Sequence, residues 1–217
     1  MHKVSLIHTT PHAEELISYM ARVSNPSNQN NQTTAPKLIA YLIKHKHWSP
    51  FEMVSMCVQI DTTRSIASQI LRHRSFSFQE FSQRYAAVEQ QPVVPSLRRQ
   101  DTKNRQNSID DLSQATKSEF DIRTQALFND AVGLYNEMLA AGVAKETARD
   151  VLPLSTPTKM YMHGTLRSWL HYCDLRCGNG TQLEHKEIAD QIKELIVIHF
   201  PIVYTSMWNE DTQRTSD

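Results

Sequence analysis

Apolar residues return at helical spacing along most of this chain and alternate with polar ones in one short stretch. Near the N-terminus Ala13, Leu16, Ile17, Met20 and Ala21 share one face of a helix, with Thr10 as its cap and Pro11 at its first position. A second helix is expected from about Pro36 to Lys46, its apolar face made by Leu38, Ile39, Leu42 and Ile43. The polar run Asn25–Thr34 between them reads as a loop. Pro50 breaks the pattern within His47–Glu52, because proline brings no N–H to a helix. Val54, Met56, Val58 and Ile60 then alternate with Ser55, Cys57 and Gln59, the period of a half-buried strand. Asp61 or Thr62 can cap the next helix, on which Ile66, Ala67, Ile70 and Leu71 pack inward.

From Glu89 to about Lys117 the chain is polar, with Pro92 and Pro95 early on, and reads as a long loop or insertion. Leu127, Ala131, Leu134, Tyr135 and Met138 mark an amphipathic helix ending near Gly142. A further helix spans about Lys159–Leu175. Ile188, Ile192, Leu195, Ile196 and His199 mark the last one, stopped near Pro201. Helices dominate and strands are few, so the fold class is α+β. No repeat or shift of composition divides residues 1–217, which read as one domain.

Charge and cysteine content then narrow the partners. Lys+Arg and Asp+Glu both number 23, and a net charge of zero weighs against coating nucleic acid by bulk charge. No run approaches the ~18–20 apolar residues that cross a bilayer, and the N-terminus lacks the apolar stretch of a signal peptide. Three cysteines, an odd number without dense spacing, fit a reducing cytoplasm rather than a disulfide framework. Cys173 and Cys177 lie four apart, but no second cysteine pair completes a zinc site, so no metal is expected.

The densest chemistry lies in Arg72–Tyr85 (RHRSFSFQEFSQRY). Gln69 and His73 share a helix face just before it, and Phe76 and Phe78 then alternate with Ser77 and Gln79. Such a helix-to-extended junction aims successive side chains at one ligand. Guanidinium forks suit phosphate and imide oxygens, so the cluster reads as an anion or nucleotide pocket. The bland alternative is a solvated helix end, which the interleaved phenylalanines disfavour. A second cluster, Arg167–Arg176, puts Arg167, His171 and Asp174 near one stripe, a pattern shared by any partly buried helix with snorkelling arginines. Arg98–Arg105 (RRQDTKNR) is a basic stretch that reads as a solvated loop or as a contact patch.

These residues resemble the flavin-dependent thymidylate synthase family. Arg72-His73-Arg74, seven intervening residues, Ser82, one residue and Arg84 match its signature at every fixed position. His47–Glu52 is similar to the family's His-x-Thr/Ser-Pro-Phe-Glu segment. Ala21–Ser24, Arg149 with Leu152-Pro153, and Arg167–Arg176 followed by Gln182 resemble other family segments. The likeness covers nearly the whole chain outside residues 89–117. It implies a helix-rich single domain with a small, mostly antiparallel twisted sheet. It also implies transfer of the methylene of methylenetetrahydrofolate to C5 of dUMP, with FAD recharged by NADPH, and no cysteine nucleophile.

By resemblance, dUMP is bound by Gln69, Ile70, Leu71, Arg72, Glu80, Phe81, Ser82, Gln83, Arg84, Arg149 and Arg176. FAD is bound by Ser49, Arg72, His73, Arg74, Glu80, Thr165, Arg167 and His171. Arg176 is the activating residue: a cation beside the uracil imide favours loss of the N3 proton and raises electron density at C5. The family also implies a homotetramer with shared active sites. Thr165 and His171 stand at frequent asparagine positions, and Gln79 at another. Met53 stands where a second histidine is common, and Gly178–Gly180 where a flavin-side histidine is common. The same scaffold could make another C5-substituted pyrimidine nucleotide, such as a hydroxymethylated one. A non-catalytic nucleotide- or RNA-binding protein is the reading from a different class.

Overall fold

The computed structural model describes residues 2–208. Its strands are β1 (Lys3–Thr9), β2 (Ser55–Thr63), β3 (Ser77–Glu80), β4 (Arg99–Gln100), β5 (Ser108–Ile109) and β6 (Pro157–Thr165). One antiparallel sheet runs β1-β2-β6-β3, and β4 and β5 form a separate hairpin. The alternation read in Val54–Ile60 builds the centre of the sheet. Met56, Val58 and Ile60 face the core and lie opposite Gly164, Met162 and Met160 of β6. Fully burying each such side chain is worth about 1.5–3 kcal/mol.

The helices are α1 (Ala13–Ala21), α2 (Ala35–Lys44), α3 (Arg64–Ile70), α4 (Gln114–Ala140), α5 (Lys145–Ala148), α6 (Leu166–Arg176), α7 (Leu183–His199) and α8 (Pro201–Trp208). Ile17, Ile39, Leu42, Ile66, Trp169, Leu170, Ile188, Ile192, Ile196 and Val203 close over the sheet's inner face. The Trp169 indole N–H donates to the Met56 carbonyl at 3.0 Å, which ties α6 to β2 inside the core.

Several boundaries differ from the sequence expectations. Residues 159–165 are strand, not helix: Thr158, Met160, Met162 and Gly164 are buried while Lys159 and Tyr161 are exposed, a period of two. The helix starts only after Thr165, whose hydroxyl accepts from the Ser168 N–H. β1 was not expected. A register shift between Leu6 and His8 breaks its alternation after four residues. Thr10 does not cap α1; its hydroxyl accepts from the Ser55 N–H at 2.9 Å, and His12 precedes the helix with φ 51°. Neither Asp61 nor Thr62 caps α3, because β2 continues through Thr63. The first N–H groups of α3 instead reach the carbonyls of Thr156 and Leu154. Leu71 turns outward at the end of α3. The helix marked by Ile188–His199 stops before Pro201 as expected, but it is not the last one: α8 begins at Pro201, with proline at a position that needs no N–H.

The polar stretch 89–117 is not featureless. It holds the β4–β5 hairpin and gives way to α4 at Gln114, capped by the Ser113 hydroxyl. Leu127 and Leu134 do not pack inward; on α4 only Phe128 and Tyr135 are buried, and Phe120, Ile122, Leu127 and Leu134 are exposed. Among the described residues no helix is long and apolar enough to cross a membrane.

Candidate active site

The Arg72–Arg84 segment is shaped by what lies on either side of it. α3 ends in a tight turn in which the N–H groups of Arg72 and His73 reach the carbonyls of Gln69 and Ile70. β3 then pairs with β6, and the Phe76 ring presses on Gly164. A Cβ there would stand 2.4 Å from the ring, which is why this strand interior carries glycine. Phe76 also packs edge-on to Trp169, with ring centroids 4.6 Å apart. The turn therefore projects from a rigid base, and Gln69, Arg72, His73 and Arg74 radiate from it. Arg72 and Arg74 are exposed, and among the described residues neither has an acidic partner. Ile70 is fully buried, so its side chain belongs to the core; Leu71 is exposed.

His73 meets the far end of α6. The Arg176 Nε–H donates to His73 Nε2 at 3.0 Å. An arginine only donates, so this His73 is neutral with its proton on Nδ1. Burial, then the Arg176 charge, push His73 down to about 4. The His73 ring stands edge-on to Tyr172, whose hydroxyl lies 3.1 Å from His185 Nε2. His185 is wholly buried and is also pushed down to about 4, by burial first and then by Arg176 and His73. Among the described residues the two Arg176 terminal nitrogens have no hydrogen-bond partner.

A second group starts at the end of β3. Glu80 Oε1 accepts from Arg64 at 2.6 Å and from the Thr158 hydroxyl at 2.9 Å. Gln83 is buried and, with Arg64, Arg149 and Leu152–Leu154, lines a cavity of about 270 Å³. Ser82 is half-buried at a turn, and its carbonyl accepts from the N–H groups of Tyr85 and Ala86. Arg84 is exposed and pairs with Glu146 at 3.1 Å. Phe81 lines a separate cavity of about 600 Å³ with Lys3, Asp61, Val88 and Lys159.

A third group gathers at the start of α6. Thr165 caps the helix, Arg167 pairs with Glu52, and His171 stands edge-on to Trp48 at 5.2 Å. Ser49 opens the short turn that carries Glu52. Arg167 and Arg176 are nine residues apart on one helix, about 14 Å along its axis. The sequence-derived residues thus form three groups, and among the described residues no hydrogen bond or ion pair joins the Ser82–Arg84 and Arg149 group to Arg176. Arg64, Thr158, Tyr172 and His185 escaped sequence reasoning. Their partners are distant in the chain, and no local pattern marks them.

None of the three cysteines hydrogen-bonds to these groups of donors among the described residues, although Cys173 and Cys177 flank Tyr172 and Arg176 at the end of α6. Burial pushes the Cys57 thiol up on β2. Cys173 is buried in α6 and raised by its Cys177 neighbour and by burial. Cys177 is lowered by Cys173 and faces Asp190 and Lys193 of α7.

The antiparallel sheet, the helix-to-strand junction and the three arginine-bearing groups define a class of α+β protein that gathers cationic donors around one helix-to-strand junction and the helix α6. Residues 5–202 match the family described as Thymidylate synthase complementing protein. The chain is 52% identical over 191 residues to the probable flavin-dependent thymidylate synthase of Paramecium bursaria Chlorella virus 1, covering 88% of each. It is 50% identical over 194 residues to the flavin-dependent thymidylate synthase of Synechocystis, covering 89% of each. Among solved structures it is similar to the UMP/dUMP methylase PolB from Streptomyces cacaoi bound with 5-Br dUMP. That likeness has a TM-score of 0.85 and 26% identity, over 95% of this chain and 94% of that one. The chain belongs to the flavin-dependent thymidylate synthase family.

Proposed function

We propose that this protein is a flavin-dependent thymidylate synthase that converts dUMP to dTMP, with methylenetetrahydrofolate as carbon donor and NADPH as the source of electrons. The observation that carries this reading is the contact between His73 of the signature segment and Arg176 of α6. With Nε committed to His73, Arg176 keeps both terminal nitrogens for the uracil imide. There the cation favours loss of the N3 proton and pushes electron density onto C5. Each unit by which the imide pKa falls is worth about 1.4 kcal/mol. No cysteine nucleophile is called for. Gln69, Arg72, Glu80, Ser82, Gln83, Arg84 and Arg149 would hold dUMP, and Arg84 and Arg149 would meet its phosphate.

The residues present fit FAD. Arg72 and Arg74 offer charge without acidic partners among the described residues, as a diphosphate requires. His73, Ser49, Thr165, Arg167 and His171 would extend the site along α6. When bound, FAD supplies the hydride that completes the methyl group. The chain's own residues orient the partners and hold charge.

The separation of the three groups within one chain supports a homotetramer with shared active sites. So does the exposed stripe Phe120, Leu127 and Leu134 on α4, which repeats every seven residues as helix pairing requires. A soluble, cytoplasmic enzyme acting on small molecules, not on nucleic acid or membranes, follows from the same reading.

The test is a mass spectrum of the nucleotide product after anaerobic incubation with FAD, NADPH, methylenetetrahydrofolate and dUMP. A dTMP peak that vanishes when FAD is withheld from flavin-stripped protein supports the reading. A hydroxymethylated product would keep the pocket and change the reaction. Because PolB is a UMP/dUMP methylase, UMP belongs in the same experiment as a competing substrate.

A further inference from the structure

The polar stretch 89–117 is linked to Gln69, three residues before the signature segment, through a chain of four side chains. Arg98, just before β4, forks onto Glu184 of α7, with Nη1 donating to Oε1 at 2.7 Å and Nη2 to Oε2 at 3.0 Å. Its Nε–H is held by the Ser108 hydroxyl of β5 at 2.9 Å. Both partners are well buried, the Arg98 side chain 11% and the Glu184 side chain 16% exposed. The Gln182 amide donates to Glu184 Oε2 at 2.9 Å, and the Gln69 amide donates to Gln182 Oε1 at 2.7 Å.

The carboxylate sets the polarity of this chain, although its middle member Gln182 is exposed. An ionised carboxylate can only accept, so Gln182 must turn its NH₂ to Glu184 and its carbonyl to Gln69. Gln69 must then turn its NH₂ to Gln182, which leaves its own carbonyl oxygen facing outward. Burial alone would push Glu184 up, but hydrogen bonds from Arg98, from its own backbone N–H and from Gln182 outweigh it and leave the carboxyl lowered. Without the Arg98 fork the Glu184 carboxylate is free to turn, and the Gln182 and Gln69 amides lose their fixed root.

We propose that Arg98 is a positioning residue of the nucleotide site: acting through Glu184 and Gln182, it fixes the Gln69 amide with its carbonyl presented to an N–H or O–H donor of the nucleoside. This rests on the proposed placement of Gln69 against dUMP. A phosphate dianion carries no hydrogen to offer that oxygen, whereas the uracil imide and the sugar hydroxyls do. The β4–β5 hairpin is thereby a clamp on substrate orientation.

Two measurements separate the relay from the function it serves. In nucleotide-free protein, the side-chain NH₂ resonances of Gln69 and Gln182 are followed by ¹⁵N NMR. Arg98→Ala should shift both, and Arg98→Lys, which keeps the charge but not the fork, should shift them less. If Arg98→Ala does not fold, the lysine variant carries the test. Gln69 resonances that stay in place would overturn the relay. Calorimetric dUMP binding is the second arm. Arg98→Ala should weaken it about tenfold, the worth of one well-made hydrogen bond, and the lysine variant should recover part of the loss. In a Gln69→Ala background the Arg98→Ala loss should disappear, and fully additive losses would overturn the proposal. A wild-type protein that binds no dUMP would instead overturn the proposed function, with the NMR arm still deciding the relay.

Discussion

The two ends of α6 carry the same side chain under opposite physical conditions. Arg176 lies in the last turn, where a cation suits the helix dipole, yet it reaches a neutral histidine among the buried rings of Tyr172 and His185. Arg167 lies in the first turn, where the dipole opposes a cation by about 0.3–1 kcal/mol, and it pairs with Glu52 in the open, the two side chains 40% and 41% exposed. Such an exposed pair returns little, about 0–1 kcal/mol. Helix stability therefore favours Arg176 where it stands but does not account for Arg167. Arg176 is preorganised where charge acts strongly. Arg167 sits, half-exposed and weakly held by Glu52, at a helix start that favours anions, suited to a charged ligand that must also leave.

Breaking the ordered end should have the largest effect. Arg176→Ala should retain the fold and bound flavin while turnover falls about 10²–10³-fold, the usual cost of removing one preorganised donor. Wild-type-like turnover would remove Arg176 from the activating role. Acid should come next. His73 and His185 both sit near 4 in the fold against an ordinary 6.5. As pH falls below about 6.5, the unfolded chain takes up protons that the folded chain refuses. Stability should therefore decline until about pH 4 and then level. The wholly buried His185 contributes up to about 1.4 kcal/mol per pH unit, and His73, more open to solvent, contributes less. Urea midpoints that do not move between pH 7.5 and 4.5 would contradict the neutral pair.

Tyr172→Phe sharpens the comparison further. It strips His185 Nε2 of its partner, and His185 Nδ1 already has none among the described residues. The expected loss is about 1–3 kcal/mol by denaturant unfolding. Smallest of all, Arg167→Ala should change stability by less than about 1 kcal/mol. It should nevertheless weaken flavin loading, read from the absorbance of bound flavin; unchanged loading would detach Arg167 from the cofactor.

The contrast also marks what the sequence could disclose. α2 and β2 were legible because one face of each is buried along its length, so period and burial agree. β6 was legible in principle, since Met160 and Met162 alternate, but the helix behind Thr165 drew the reading forward. β1 was hidden by its register shift. The apolar stripe of α4 was correctly periodic, yet Leu127 and Leu134 face outward, because a hydrophobic period names a face and not its partner. Arg72, His73 and Arg74 stood out as a local motif. The bond from Arg176 to His73 spans 103 residues, and the relay from Arg98 to Gln69 depends on a hairpin only two residues long in each strand. Neither leaves a local pattern.

The strand order has a consequence for how the protein is made. β1 and β2 can pair once residue 63 has left the ribosome, but β3 has no neighbour until β6 follows, about 80 residues later. At about 5–20 residues per second that is a wait of about 4–16 s. Through that interval Phe76 has no Gly164 or Trp169 to rest on, and it emerges beside Phe78 and Phe81. The segment richest in chemistry is thus the last edge of the sheet to be sheltered during synthesis, and its phenylalanines wait longest for their partners.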